Sequence, residues 1–359
     1  MWENGLTRLL GVQYPIIQAP MAGGVTTSQL VAAVSNAGGL GMIGAGYMTP
    51  SQLREQIQEL KSLTDKPFGV NLFVPNPYNA DQERIAKAKN FLQPILQELH
   101  VSKVEPKLPS FEQDVKTFYE HIDVIIEEKV SICSFTFGLP DSKILRKLKE
   151  NSVIVIGTAG TVAEAILNEK AGVDAVVIQG AEAGGHRGSF LGEDKQSLIG
   201  LISLIPQTAD QIKIPIIAAG GIMDGRGLMA AKCLGAQAVQ MGTAFLVCEE
   251  SGAHQLHKEA IIGAKEDQTV LTKTFSGKLA RGLKNRFTEK MSNREDEVPD
   301  YPLQNELTKT IRKASAEKGT SEYMSLWAGQ STRLAQCLTA RQLIEKIIQE
   351  AKELSSICT

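Results

Sequence analysis

The chain has 359 residues, of which 43% are hydrophobic, and a formal net charge of -2. This composition can bury a large core, and the length exceeds the ~250 residues of a typical barrel domain, so we expect one main domain with additions. The small negative net charge argues against a nucleic-acid-binding protein, which would carry a basic surface. The sequence contains no run of about 18 apolar residues, so no membrane span is predicted. We therefore expect a cytoplasmic protein whose partners are small molecules.

Short apolar runs alternate with amphipathic stretches in the first part of the chain, a pattern typical of βα units and a parallel sheet. The sequence predicts strands over residues 14–19, 40–43 and 68–73. Helices are predicted between them, over residues 27–37 and 50–63. Two βα units and a third strand thus begin the fold.

Residues 76–126 interrupt this alternation, because they are rich in Lys, Glu and Gln and form too long a segment for an ordinary βα connection. They are predicted to be a helical insertion after the third strand. Regular alternation resumes with predicted strands over residues 130–135, 152–156, 175–179, 214–219 and 238–241. The helices expected among these strands cover residues 141–150, 161–171 and 225–234.

The eight predicted strands in βα order indicate the α/β class and a (β/α)₈ TIM barrel, with the helical insertion after strand 3 and a C-terminal cap segment. A doubly wound sheet would usually reach its cofactor through an early GxGxxG turn, and the GGLGMIG run at 38–44 enters a strand instead of leaving one. We assign residues 1–75, 127–250 and 331–359 to the barrel, and residues 251–330 to the cap on the substrate side. A final helix over residues 339–354 is expected to pack on the barrel.

The predicted strand ends are rich in Gly, Gln and Asn, and barrel enzymes place their chemistry at the C-terminal ends of the strands. Glycine turns follow the seventh strand (Gly220, Gly221) and the eighth (Gly242), where bare main-chain N–H groups can approach a phosphate. Asn71 and Gln179 offer amide groups suited to the pyrimidine edge of a flavin. Each turn alone could be only a tight turn, but their joint occurrence favours a site.

His186 alone among the five histidines lies in a Gly-rich loop at a strand end, which favours a role in proton transfer or substrate orientation over a structural one. Glu182 could be a catalytic acid or fix the loop, and the sequence leaves both open. His254 and His257 have a spacing compatible with a metal, but no carboxylate motif accompanies them, so no metal is expected. His121, in the charged insertion, is expected to be solvated.

Five segments at strand ends carry a resemblance: QAPMAGG at 18–24, SFTFG at 134–138, QGAEAGGHRG at 179–188, AAGGIMDGR at 218–226 and QMGTAFL at 240–246. Together they resemble the nitronate monooxygenases, formerly called 2-nitropropane dioxygenases, through nearly all of the barrel. The resemblance implies an FMN-dependent enzyme that oxidises alkyl nitronates, such as propionate 3-nitronate, with O₂ to a carbonyl compound plus nitrite or nitrate. It implies that His186 is the active-site histidine, and that the residues contacting FMN are Ala19, Pro20, Met21, Ala22, Asn71, Gln179, Gly184, Gly185, Gly220, Gly221, Gln240, Met241, Gly242 and Thr243.

Two alternatives stay open at this point. The related FMN-dependent enoyl-acyl-carrier-protein reductase shares the barrel and an EAGGH-type loop but uses NADH or NADPH, and a non-catalytic barrel could bind FMN or another phosphate ligand. The SFTFG motif and the long segment after the eighth strand favour the nitronate enzyme. Tyr301, Tyr323 and Trp327 in that segment are candidates to line the substrate pocket. The sequence does not determine the oligomeric state, for which a homodimer is kept as one alternative.

Overall fold

The computed structural model describes residues 2–101 and 106–357. The strands, numbered in chain order, are β1 (Ile16–Gln18), β2 (Gly41–Gly44), β3 (Phe68–Phe73), β4 (Ile132–Thr136), β5 (Ile154–Ala159), β6 (Ala175–Gln179), β7 (Gly185–His186), β8 (Ile216–Ala219), β9 (Ala238–Met241), β10 (Thr269–Thr272) and β11 (Ala280–Leu283). The helices are α1 (Gly5–Leu10), α2 (Ser28–Asn36), α3 (Pro50–Leu63), α4 (Gln82–Glu98), α5 (Phe111–Glu127), α6 (Ser142–Glu150), α7 (Val162–Ala171), α8 (Leu201–Ala209), α9 (Gly225–Cys233), α10 (Thr243–Leu246), α11 (Gln255–Gly263), α12 (Arg286–Met291), α13 (Leu303–Glu317) and α14 (Ala340–Ile357). Within the described ranges, no helix is both long enough and apolar enough to cross a membrane.

Eight parallel strands form one sheet in the order β1-β9-β8-β6-β5-β4-β3-β2. The two ends of this sheet meet through a parallel bridge between Ile17 and Leu40. Two main-chain bonds of 2.9 Å, from Gln18 N to Leu40 O and from Leu40 N to Ile16 O, close the barrel. The predicted (β/α)₈ barrel is therefore confirmed, and the predicted strands agree with the observed ones to within three residues at each end.

The barrel is filled by apolar side chains that point inward from alternate positions of its strands, as parallel strands with both faces covered require. Met42, Ile132 and Val177 belong to this interior cluster, and Leu6 and Leu10 of α1 join it. Other apolar side chains of the strands pack outward against the surrounding helices. The interior is thus a packed core, and the largest described cavity lies beyond the strand ends.

Local sequence signals explain where the outer helices begin. Thr49 caps α3 through a capping box with Gln52, and Pro50 occupies the first helical position, where its missing N–H costs nothing. Asp81 caps α4 and Ser110 caps α5 in the same manner, each with its side-chain oxygen on main-chain N–H groups. The cap at Thr49 explains why α3 begins at residue 50, as predicted.

The segment predicted as a helical insertion contains α4 and most of α5, and its residues 102–105 lie outside the described ones. The first of these helices contacts α13, while the second packs on α3 and β3 in the outer ring of the barrel. His121 on α5 is consequently buried, so the expectation that it is solvated was wrong. Burial lowers the pKa of this imidazole.

The cap begins after α10 and is joined to the barrel through a three-stranded sheet in the order β10-β11-β7. In the antiparallel pairing of β11 with β7, Ala280 lies opposite His186 and Arg281 lies opposite Gly185. The strand that carries His186 is therefore an edge of the cap sheet as well as part of the loop after β6. A separate apolar cluster that includes Phe275, Phe287 and Ile311 packs α4, α12 and α13 together.

Candidate active site

A cavity of about 1170 Å³ opens at the C-terminal ends of the barrel strands and extends under the cap. Small-ligand sites usually measure ~300–1,000 Å³, so there is space for a cofactor and a second small molecule. His186 lines this cavity. Among the residues predicted to contact a cofactor, those that line it are Ala19, Pro20, Met21, Ala22, Asn71, Gln179, Gly184, Gly185, Gly220, Gly221, Gln240, Gly242 and Thr243. Met241 does not line it, because its side chain is buried in the core outside the barrel.

Glycine turns form one wall of the cavity. Gly220 and Gly221 after β8 have φ angles of +136° and +67°, which residues with a side chain rarely adopt. A Cβ at Gly221 would lie 3.2 Å from the Cβ of Glu182 and 3.3 Å from the Oγ of Ser331. At Gly185 an added Cβ would meet no atom within 4 Å, so its free side is open to the cavity. These turns leave main-chain groups accessible to an anion.

The two predicted amide side chains are held by hydrogen bonds within the protein. Asn71 donates through Nδ2 to the Oγ of Ser134 at 2.8 Å and to the Oγ1 of Thr136 at 3.1 Å. Gln179 donates through Nε2 to the main-chain oxygen of His186 at 3.0 Å, and its Oε1 accepts from the N–H of Gly188 at 2.7 Å. The amide of Gln179 therefore already orients the loop that carries the histidine.

Arg187, the residue after that histidine, is fully buried. Its guanidinium donates to the main-chain oxygens of Gly180 at 2.6 Å, Gln179 at 2.7 Å and Ser197 at 2.9 Å. Burial lowers its pKa to about 10, which leaves it charged at neutral pH. Among the described ion pairs none involves Arg187, so its charge is stabilised by these carbonyl groups at contact and by Asp194, Glu164 and Glu182 at longer range. The carbonyl contacts hold both ends of the loop after β6.

Glu182 lies at the edge of the cavity wall, and its carboxylate is engaged elsewhere. Both of its oxygens accept from the N–H of Leu201, at 2.9 and 3.0 Å, at the start of α8. Its main-chain oxygen accepts from the N–H of Gln330 at 3.0 Å. Of the two roles left open by the sequence, these contacts favour the one in which Glu182 fixes the loop.

The imidazole of His186 is oriented by the cap. Its Nε2 lies 2.8 Å from the Oγ of Ser276, and the same Oγ lies 3.1 Å from the main-chain oxygen of Lys278. A carbonyl can only accept, so we assign the single hydroxyl proton of Ser276 to that bond, and Nε2 of His186 is then the donor to Oγ. We therefore infer that Nδ1 is the acceptor nitrogen, available for a ligand.

The charge state of His186 agrees with this tautomer. Burial, with the positive charges of Lys278 and Arg312 and against the opposing effect of Asp194, lowers its pKa to about 3. The imidazole is thus neutral across the physiological range. Lys278 itself is paired with Asp194 at 2.8 Å, which holds the loop after β7 against the cap.

Aromatic rings surround this imidazole. The ring centres of Phe137, Tyr301 and Trp327 lie 5.9, 5.7 and 5.4 Å from that of His186. Phe137 has a φ of +73°, an uncommon conformation for a residue with a side chain and one that clusters at functional sites. Of the three aromatic candidates in the cap, Tyr301 and Trp327 line the cavity, whereas Tyr323 is buried in the cap core.

Four residues of the site were not indicated by the sequence: Tyr47, Arg312 and Ser331 line the cavity, and Ser276 contacts His186. Tyr47 follows β2 by three residues, so the rule that strand ends face the site could have found it. The other three come from the cap and from the segment leading to α14, where no periodicity places a residue relative to the barrel.

The two histidines with a metal-compatible spacing make different contacts. His257 is buried and hydrogen-bonded to the main-chain oxygen of Trp327 at 3.0 Å, and His254 caps α11.

Comparisons with known proteins cover the whole of this architecture. The family model described as nitronate monooxygenase matches residues 4–350. A probable nitronate monooxygenase of Staphylococcus aureus (strain MSSA476) is 51% identical over 356 residues, which are 99% of each chain. The crystal structure of nitroalkane oxidase from Streptomyces ansochromogenes has a TM-score of 0.91 and 38% identity, covering 99% of this chain and 100% of that one. FabK from Thermotoga maritima has a TM-score of 0.78 and 36% identity, covering 100% and 99%.

Proposed function

This chain belongs to the nitronate monooxygenase family, and on that premise we propose that it is an FMN-dependent enzyme oxidising alkyl nitronates with O₂ to a carbonyl compound plus nitrite or nitrate. Membership of the family makes the protein an oxidoreductase. The observation that carries the proposal is the convergence of His186 with the glycine turns after β8 and β9 in one cavity.

The chemistry of the cavity residues fits FMN. Main-chain groups of Gly220, Gly221 and Gly242, with the hydroxyl of Thr243, would hold its phosphate without a lysine. Asn71 and the β1 end of the cavity would face its ring. When bound there, the flavin supplies two-electron oxidation of the substrate and reaction with O₂.

The properties of His186 favour a preformed nitronate over a neutral nitroalkane. An imidazole whose pKa is about 3 is a weak base, so it would remove a proton from carbon slowly. A nitronate needs no such step, because it is already a carbanion equivalent. The positive charges of Lys278 and Arg312 near the imidazole would attract an anionic substrate. His186 then acts mainly by orienting the substrate beside the flavin ring.

The aromatic wall gives the reacting atoms a dry environment. Phe137, Tyr301 and Trp327 contact the imidazole from different directions, and Tyr301 also contacts Phe137, with 5.5 Å between ring centres. Exclusion of water by these rings would strengthen electrostatic interactions between a charged substrate and the polar groups of the site. It would also limit hydrolytic side reactions.

Absorbance of the purified protein tests the proposal. We expect a yellow protein that is bleached by propionate 3-nitronate under anaerobic conditions and recovers its colour in air. A parallel anaerobic sample receives NADH as the control reductant. Rapid bleaching by NADH with none by the nitronate would overturn the nitronate assignment in favour of a reductase. Failure to bind FMN on reconstitution would overturn the cofactor assignment.

A further inference from the structure

A short segment at the end of the cap lies directly on the glycine turns of the cavity. We call residues 328–331 the strap. The main-chain N–H of Gly329 donates to the Oγ1 of Thr243 at 2.9 Å, and the N–H of Gln330 donates to the main-chain oxygen of Glu182 at 3.0 Å. The strap therefore connects the turn after β9 to the loop after β6, which belong to different strands of the barrel.

The strap approaches these turns so closely that two positions must be glycine. A Cβ added to Gly184 would lie 2.5 Å from the carbonyl carbon of Ala328 and 2.5 Å from the main-chain nitrogen of Gly329. A Cβ added to Gly329 would lie 2.9 Å from the main-chain oxygen of Glu182. Here glycine is required by the close approach of two main chains, and the position of the strap relative to the turns is fixed.

Ser331, the last residue of the strap, carries a hydroxyl that the described part of the chain does not use. It precedes the short 3₁₀ turn Thr332–Leu334 at the N-cap position, where serine oxygens usually accept from the turn, but its side chain makes no such bond. Its Oγ has no other hydrogen bond to a described residue. Ser331 is half-buried and lines the cavity, and its Oγ lies 3.3 Å from the position of a Cβ added to Gly221.

The hydroxyl of Thr243 is prepared by the same strap. Its Oγ1 accepts from the N–H of Gly329, and its proton has no acceptor among the described residues. A hydroxyl can accept and donate at the same time, so this proton is available to a ligand. Thr243 and Ser331 thus present two hydroxyl donors in the cavity that also contains the glycine turns.

We propose that Ser331 is a further phosphate-binding residue of the flavin site, and that its Oγ donates to the FMN phosphate held by the turns after β8 and β9. A hydrogen bond to a charged oxygen is roughly twice as strong as one between neutral groups. No lysine is assigned to this phosphate, so the loss of one neutral donor has a measurable effect. This inference rests on the cofactor in the proposed function and adds to its site a residue that follows the cap.

The affinities for two flavins test the contact. FMN and riboflavin share the ring and the ribityl chain, and only FMN carries the phosphate. The full-length protein is freed of flavin and titrated with each compound, with quenching of flavin fluorescence as the readout. In Ser331→Ala the ratio of Kd for riboflavin to Kd for FMN should fall roughly 10-fold, with Kd for riboflavin unchanged. An unchanged ratio, or equal weakening of both flavins, would overturn the proposal.

The matched control is Ser325→Ala. Ser325 is also half-buried and lines the cavity, and its main-chain oxygen accepts from the N–H of Trp327 at 3.1 Å on the cap wall. This variant should keep the flavin ratio of the wild-type protein. Ser331→Thr keeps a hydroxyl, so its ratio should exceed that of Ser331→Ala. Equal falls in Ser325→Ala and Ser331→Ala, or a lower ratio in Ser331→Thr than in Ser331→Ala, would contradict the contact.

Phosphorus NMR of the FMN-loaded protein gives a second readout. The ³¹P signal of bound FMN should shift in Ser331→Ala and stay in place in Ser325→Ala, because only the first variant changes a group at the phosphate. Identical ³¹P signals in the wild-type protein and Ser331→Ala would refute the contact.

These measurements separate failure of the contact from failure of the proposed function. The expected flavin ratios and ³¹P shifts in a protein that oxidises no nitronate would support the contact of Ser331 while refuting the nitronate activity. A preference for FMN that survives in Ser331→Ala would refute the contact alone. Wild-type protein that binds neither flavin would refute the proposed cofactor and the contact together.

Discussion

The Nε2 of His186 and the Oγ of Ser276 lie 2.8 Å apart although 90 residues separate them in the chain. The same Oγ lies 3.1 Å from the main-chain oxygen of Lys278, and we infer that its proton is directed there, so that the serine accepts from the imidazole. This contact determines which nitrogen of His186 is presented to a ligand. The cap therefore contributes to the chemistry of a residue that belongs to the barrel loop.

Replacement of His186 tests its role directly. His186→Asn should lower kcat for a nitronate by ~10² or more, since the group that orients the substrate is lost. FMN should remain bound, because the proposed phosphate site lies after β8 and β9. Steady-state kinetics and the absorbance of the purified variant give both quantities. Unchanged kinetics would reduce His186 to a structural residue.

Replacement of Ser276 tests positioning through the imidazole. In Ser276→Ala the Nε2 of His186 loses its acceptor, so we expect kcat to fall about 10-fold with FMN retained. The specific readout is ¹⁵N NMR of the histidine ring, in which the Nε2–H tautomer should give way to a mixture of tautomers. Ser276→Thr keeps the hydroxyl and should keep the tautomer. An unaltered tautomer in Ser276→Ala would contradict the inferred role.

Gly221→Val should lose the cofactor, because its Cβ would lie 3.2 Å from the Cβ of Glu182 and 3.3 Å from the Oγ of Ser331 and would displace the turn proposed to hold the phosphate. The left-handed backbone at this position also makes the variant strained, so a control for strain is needed. Gly172→Val provides it, since Gly172 has a φ of +86° at the end of α7 and no atom within 4 Å of an added Cβ. Flavin content per chain is the measurement. Stoichiometric FMN in Gly221→Val would rule out the proposed phosphate site.

Arg187→Met should lower the free energy of unfolding by about 3 kcal/mol or more, because the carbonyl groups of Gln179, Gly180 and Ser197 would lose their buried donor. Urea denaturation of the apoprotein measures this loss. Arg333→Met removes an arginine in an exposed ion pair and should cost less than about 1 kcal/mol. Similar losses in the two variants would show that the buried contacts of Arg187 are not the source of stability.

The low pKa of His186 makes a prediction about stability against pH. Its pKa is about 3 when folded and near the ordinary 6.5 when unfolded, so between these values the unfolded chain binds more protons. The neutral imidazole of His186 therefore contributes fully to the free energy of unfolding above pH 6.5, and this contribution is lost progressively as the pH falls toward 3. Between pH 7 and pH 5 the free energy of unfolding of the apoprotein should fall by about 1–2 kcal/mol more than that of His186→Asn, measured by urea denaturation at each pH. Equal falls in the free energy of unfolding of the two proteins would show that the pKa of His186 in the folded protein is near its ordinary value.

Much of the fold could be predicted from the sequence because parallel strands buried on both faces read as short apolar runs. All eight barrel strands were found in this way. The strand β7 was not found, since two residues carry no period and Gly185 has low strand propensity. Its partner β11 lies about a hundred residues later, and no local signal connects the two.

The site was partly predictable for a topological reason. A closed parallel barrel collects every strand end at one face, so Asn71, Gln179 and Gly221 could be brought together without knowledge of their contacts. The same rule gives no information about residues that reach the cavity from the cap. Ser276 and Arg312 depend on how an irregular segment folds over the barrel, and the sequence shows only that such a segment exists.

The pairing of β7 with β11 has a consequence for how the protein becomes active during synthesis. When a growing chain has emerged only as far as β9, all barrel strands are present and His186 has been made, but the strand and the serine that hold its ring have not. The barrel can therefore assemble on the ribosome before its histidine is oriented. Acquisition of activity should lag behind acquisition of the fold until residues near Leu283 have left the exit tunnel.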